Sequence, residues 1–139
     1  MIDGETEVRA VLDTTAILSY AQGHVHVGEL LVDIADEGAY VALPSVALLA
    51  AHAELLGDRA ARARLGLLSA LPAVLPLALG HAEAADVATL VALAAGDLGR
   101  AHAAWAALAH AAYFLTTEPD RAPPILTKDQ IHPIATDDP

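Results

Sequence analysis

Val8-Arg9-Ala10-Val11-Leu12-Asp13-Thr14-Thr15-Ala16-Ile17-Leu18 is the stretch on which the reading of this chain turns. Val8 to Leu12 is aliphatic and β-branched enough for a buried strand, and Asp13-Thr14-Thr15 offers N-cap chemistry to a helix entered at Ala16. Asp13 therefore falls at the carboxyl end of a first strand. In an open α/β sheet that edge is where ligands bind, which makes the carboxylate a candidate for chemistry as well as a helix cap. Taken alone, the cap is the commoner role.

The rest of the chain repeats the strand-then-helix alternation. Gln22-Gly23-His24 reads as a turn, and Val27, Leu30, Leu31 and Ile34 fall at helical spacing over His26 to Glu37, with Gly38 as the stop. Tyr40 to Leu43 is a short strand closed by Pro44, which is expected in the first turn of the next helix, Ser45 to Leu56. A helix bearing Arg59, Arg62 and Arg64 runs to about Leu71. Ala73 to Leu77 follows as a strand, placed at an edge by Pro76. Ala82 to Ala95 reads as a helix stopped by Gly96, Asp97 caps or begins another that runs to about Ala112, and Tyr113 to Thr116 is a fourth strand. A short final strand is expected near Ile131 to Ile134. Crossovers of helix length imply a mainly parallel sheet of four or five strands, flanked on both faces by helices in three layers.

Composition bounds what this α/β domain can do. The 139 residues fit one domain, with residues 1–7 and 135–139 expected to be flexible ends. The chain is 55% hydrophobic and has no cysteine, which excludes disulfides, thiolate nucleophiles and zinc–thiolate sites. The acidic start Ile2 to Glu7 is unlike a secretory signal, and the longest uncharged run, Leu65 to Ala82, is broken by Gly66, Pro72, Pro76 and Gly80. A soluble cytoplasmic protein with no membrane partner is the expectation. Seven basic against eighteen acidic residues give a formal charge of −11, which opposes non-specific binding to a polyanion. Arg59, Arg62 and Arg64 only partly share a helical face, so they read as a solvated surface before a phosphate-contacting patch.

Asp13 after the first strand, Asp97 at the start of the helix before the fourth strand, and Glu118 after that strand occupy related places at one sheet edge. Clustered carboxylates repel one another unless a cation neutralises them, so the trio is a candidate site for one or two Mg²⁺ or Mn²⁺ ions. Such a site suits phosphodiester hydrolysis. His24 and His26 with Glu29 form a second, weaker metal candidate. His102, Trp105 and His110 share one helix, where Trp105 reads as core or as a dimer contact.

These segments resemble the PIN domains, including the VapC-like toxin ribonucleases. Val11-Leu12-Asp13-Thr14-Thr15-Ala16 is similar to the family's opening V-L-D-[TS]-[ST]-A, and Val41-Ala42-Leu43-Pro44-Ser45-Val46 resembles its second strand and helix start. Asp97-Leu98-Gly99-Arg100-Ala101-His102-Ala103 is similar to its D-x-x-x-A-H-A helix, and Leu115-Thr116-Thr117-Glu118-Pro119 to its L-T-x-D-P. The resemblance spans nearly the whole chain. It implies a three-layer PIN-like fold and a metal-dependent endoribonuclease acting on single-stranded RNA, the toxin of a toxin–antitoxin pair, with an antitoxin protein as partner and a homodimer as its assembly. Asp13, Asp97 and Glu118 would be the catalytic and metal-binding acids, and Thr14, Thr117 and Arg100 the substrate contacts.

Two departures cut against this. Where the family places its second acid, six residues after the helix-opening proline, this chain has Ala50, and its fourth acid, normally Asp, is Glu118. Glu54 lies one helical turn beyond Ala50, about 6 Å along the axis, as a substitute ligand or as plain surface. The rival expectation is a degenerate PIN domain, catalytically weak or inactive, that binds protein or RNA without cutting. A flavodoxin-like or receiver-like domain is a weaker third reading, because no phosphate-binding glycine loop follows the first strand.

Overall fold

The computed structural model describes residues 7–136. Along the chain run β1 (Val8–Leu12), α1 (Thr14–Ala21), α2 (His26–Asp36), β2 (Tyr40–Pro44), α3 (Ser45–Glu54), α4 (Arg59–Ala70), β3 (Val74–Leu77), α5 (His81–Val91), α6 (Leu98–His110), β4 (Tyr113–Thr116), a 3₁₀ turn (Pro119–Arg121) and β5 (Ile131–Pro133). The strands form one five-stranded sheet in the order β3-β2-β1-β4-β5, and every pairing is parallel. This is the flanked parallel sheet that the alternation implies.

Two cores lie on opposite faces of the sheet. Ala10, Leu12, Val41, Leu43 and Leu115 meet Ile17, Val27, Leu31, Leu65 and Leu68 on one face. On the other, Val8, Val11, Ala42 and Phe114 meet Val87, Leu90 and the alanines of α6. Val8 and Ala10 fall in different cores although they are two residues apart, because the β1–β2 register shifts between them. A bulge of this kind reverses the strict alternation of a strand. Ala101, Ala103, Ala104, Ala106 and Ala107 of α6 are fully buried. Small side chains on so many positions bring this helix close to both the sheet and α3.

Both edge strands carry a proline. Val41 N–H donates to Ala73 O, so the ladder uses the odd-numbered residues of β3 and Pro76 turns away from β2. Phe114 N–H donates to Gln130 O and Ile134 N–H to Thr116 O, so the ladder uses the even-numbered residues there and Pro133 also points outward. Proline at an edge strand is tolerated because no ladder bond needs its missing N–H.

Several boundaries differ from those expected. Pro44 is not in the first helical turn; it is the last residue of β2 and the extended N-cap of α3, with φ −67° and ψ 132°. Helix α3 ends at Glu54 rather than Leu56. Helix α5 ends at Val91, not Ala95, because Ala95 and Gly96 both adopt positive φ, 55° and 85°, and Gly96 N–H turns back to Val91 O. The expected flexible ends fall largely on residues 1–6 and 137–139, outside the described residues. Glu7 is tied to the sheet, its carbonyl accepting from Tyr40 N–H at 2.9 Å. No helix among the described residues is long and apolar enough to cross a membrane.

Candidate functional site

The chain leaves β1 toward β2 and β3 on one side, then returns to build β4 and β5 on the other. The carboxyl ends of β1 and β4 therefore flank the point where strand order reverses, the usual crevice of an open parallel sheet. Asp13 follows β1, Thr116-Thr117-Glu118 ends β4, and Asp97 caps α6 beside them.

Asp13 is fully buried and does two jobs with one oxygen. Its Oδ1 accepts from Ala16 N–H at 2.9 Å, as the N-cap of α1, and from the Thr15 hydroxyl at 2.6 Å. Thr15 Oγ1 in turn accepts from Thr117 N–H at 2.9 Å and lies 3.2 Å from Thr116 Oγ1, which accepts from Glu118 N–H at 3.0 Å. These bonds fasten the end of β4 to the start of α1. Burial pushes the Asp13 carboxyl above its ordinary range, against the opposing pull of the Thr15 and Thr116 hydroxyls, Ala16 N–H and Arg100. Asp13 Oδ2 accepts no hydrogen bond and faces Arg100.

Arg100 stands in the middle of the acids. Its Nη2 donates to Glu118 Oε1 at 2.7 Å, its Nη1 lies 3.6 Å from Asp97 Oδ2, and its Nε lies 3.9 Å from Asp13 Oδ2. Asp97 also caps α6, accepting from Arg100 N–H at 2.9 Å through Oδ1. The next residue back, Gly99, allows this siting: a Cβ there would lie 2.4 Å from Thr14 Oγ1 and 3.0 Å from Ala47 Cα. Only a glycine lets the first turn of α6 come so near α1 and α3.

Asp13, Asp97 and Glu118 thus converge, as their strand-end positions imply. They converge on a guanidinium, and as arranged this donor set does not fit a divalent ion. A hard cation takes several oxygen ligands in its own coordination shell, whereas each of these carboxylates already faces one nitrogen of Arg100. Among the described residues no group of three His, Asp or Glu is placed to hold a metal. Glu54, the substitute ligand, is exposed at the last residue of α3, with no hydrogen bond or ion pair to Asp13, Asp97, Arg100 or Glu118. Ala50 is half-buried on the same helix.

The three expected substrate contacts fare differently. Arg100 is only 5% exposed and engaged with acids, so it is not presented to a substrate. Thr14 is buried, its hydroxyl packed beside Gly99. Thr117 remains partly exposed, beside a cleft of about 220 Å³ that Thr15, Ser19, His24 and Glu118 also line. An apolar cleft of about 540 Å³, lined by Tyr20, Leu31, Val32, Tyr40 and Val74, opens at the amino ends of β2 and β3, away from the acids.

The secondary candidates resolve into packing. Arg64 Nη1 donates to Ala21 O at 2.7 Å and Arg62 Nε to His52 Nδ1 at 3.4 Å, so two of the three clustered arginines join α4 to α1 and α3. His26 Nδ1 lies 3.6 Å from Glu29 Oε1 within α2. His102, fully buried, was missed as a structural partner: its Nδ1 accepts from Val46 N–H at 3.3 Å, at the start of a helix whose own N-cap is a proline without a capping side chain. Trp105 packs at the α6 core with its ring 6.4 Å from His102.

No family model matches the chain, and no curated protein does. Among solved structures, the chain resembles VapBC2 from Rickettsia felis, solved bound to a DNA fragment from their promoter. The likeness covers 92% of this chain and 100% of that one, at a TM-score of 0.64 and 14% sequence identity. The architecture of this chain is accordingly PIN-like, in the manner of VapC.

Proposed function

We propose that this chain is a degenerate PIN-like domain that binds a partner without cleaving RNA, the partner being a protein of the antitoxin kind. The observation that carries the reading is the half-buried Ala50 on α3, where the resemblance requires an acid. A divalent ion that dehydrates reluctantly needs its full set of anionic ligands, and Glu54, the substitute, stands exposed at the last residue of α3. The formal charge of −11 works in the same direction, since few phosphates of an RNA could be neutralised. A protein partner faces no such penalty, and the structural neighbour belongs to a complex named for two components, VapB and VapC.

The competing reading, a metal-dependent ribonuclease and toxin, draws on the convergence of Asp13, Asp97 and Glu118. Incubation of pure protein with single-stranded RNA in Mg²⁺ or Mn²⁺, with and without chelator, separates the two. Degenerate chemistry gives no chelator-sensitive cleavage above that of Asp13→Asn. Efficient cleavage that both chelator and Asp13→Asn abolish overturns the proposal and restores the enzyme.

A further inference from the structure

Three carboxylates brought to one place repel one another, and a buried arginine is costly unless it is paired. In this pocket the two meet: Arg100 is hydrogen-bonded to Glu118 at 2.7 Å and faces Asp97 and Asp13 at longer range. Arg100 directs three different nitrogens at three different acids, which arrive from the end of β1, the cap of α6 and the end of β4. One cation among converging carboxylates is the arrangement a bound metal ion would have, built here from a side chain. The position follows from the chain itself: Arg100 lies three residues after Asp97, the spacing that sets two side chains on one helical face.

We propose that Arg100 is the resident counter-ion of this pocket, and that removing its guanidinium converts the pocket into a site for a hard divalent cation such as Mn²⁺. Without Arg100 the three acids face one another around the space it fills with no cation between them. Asp13 is buried and held in place by Ala16 N–H and the Thr15 hydroxyl. The side chains of Asp97 and Glu118 are 37% and 45% exposed, open enough to leave water in the remaining coordination positions. While the guanidinium is in place, a metal has to displace a tethered, correctly positioned competitor that dilution cannot remove. Arg100 also ties the segment after β4 to α6 through Glu118, so it holds the fold of this edge as a structural ion would.

The inference rests on the non-cleaving reading above, yet it is tested at equilibrium and without RNA. Wild type, Arg100→Ala, Arg100→Gln and Arg100→Ala with Asp13→Asn are melted in chelator and across a Mn²⁺ series, and bound Mn²⁺ is read directly from loss of the free-ion paramagnetic resonance signal. Wild type is expected to show no metal-dependent melting shift. Arg100→Ala melts lower in chelator and regains stability with Mn²⁺; free metal at about 100 times its Kd moves the folding equilibrium roughly a hundredfold. Adding Asp13→Asn cancels the gain. If Arg100→Ala is unfolded in chelator, folding on addition of Mn²⁺ supports the proposal, and Arg100→Gln, which keeps much of the side chain's bulk, gives the same readout from a milder change. Failure of both variants to bind Mn²⁺, whether folded or not, overturns it, as does equal stabilisation of wild type. Chelator-sensitive RNA cleavage by wild type is a separate outcome that refutes the functional reading itself.

Discussion

Replacing Gly99 with Ala places a methyl group where α6 passes nearest its neighbours. The new Cβ would meet Thr14 Oγ1 at 2.4 Å and Ala47 Cα at 3.0 Å. The hydroxyl can rotate away, but Ala47 is fully buried and the atom in question is its backbone, so either α3 or the first turn of α6 must shift. Overpacking of this kind costs about 1–3 kcal/mol. Alanine recovers up to about 1 kcal/mol by its helix propensity, which leaves a net loss of roughly 0–2 kcal/mol. Gly28 and Gly66 supply internal controls, because the same added Cβ meets no atom within 4 Å at either. There the propensity gain stands alone and each variant should be stabilised by about 0.5–1 kcal/mol. For a domain of this size 1 kcal/mol corresponds to about 3–5 °C in Tm. Gly99→Ala should therefore melt several degrees below Gly66→Ala, with urea midpoints in the same order and unchanged slopes. Equal stability of all three variants would refute the close approach that sets Arg100 among the acids.

Two further outcomes follow from the cores. His102 is buried, and burial holds its imidazole below the ordinary value of 6.5, with Glu83 pulling the other way. The unfolded chain takes up that proton near pH 6.5 and the folded chain only at lower pH, so stability falls as pH drops through about 6.5. His102→Leu should flatten this part of the stability profile whatever it does to the absolute value; an unchanged slope would show that another group is responsible. Phe114 is fully buried on β4, an interior strand of the sheet, and Phe114→Ala should cost about 3–5 kcal/mol by urea unfolding; a loss below about 1 kcal/mol would contradict the packing described.

Much of this was legible in the residues, for identifiable reasons. Strands β1 and β4 are short aliphatic or aromatic runs bounded by capping and turn residues, so their limits could be read directly. The convergence of Asp13, Asp97 and Glu118 followed from each lying at a strand end or helix start on one side of a parallel sheet. Helix α5 was harder, because alanine favours helix at every position and gives no sign of where one ends; the positive φ of Ala95 has no residue signature. Arg100 was the more consequential miss. Its spacing from Asp97 was visible, but a basic residue beside candidate phosphate chemistry reads as a substrate contact. Only the burial of its side chain and its distances to acids from three elements reveal an internal counter-ion. His102 escaped for a related reason: it caps a helix far from it in sequence, and local pattern carries no trace of that.

The outward-facing prolines at the two margins of the sheet bear on how this molecule can associate. An unpaired strand edge is a template on which another chain can add its own backbone. Here Pro76 and Pro133 each interrupt the row of donors that such an addition would need. Neither margin can be continued by a further strand in regular register, whether from a second copy or from an extended peptide. Large apolar side chains stand exposed in the helical layers instead: Leu49 on α3, Leu56 just after it and Leu98 at the head of α6. Contacts made there are side-chain contacts, specific in shape and open to change by substitution.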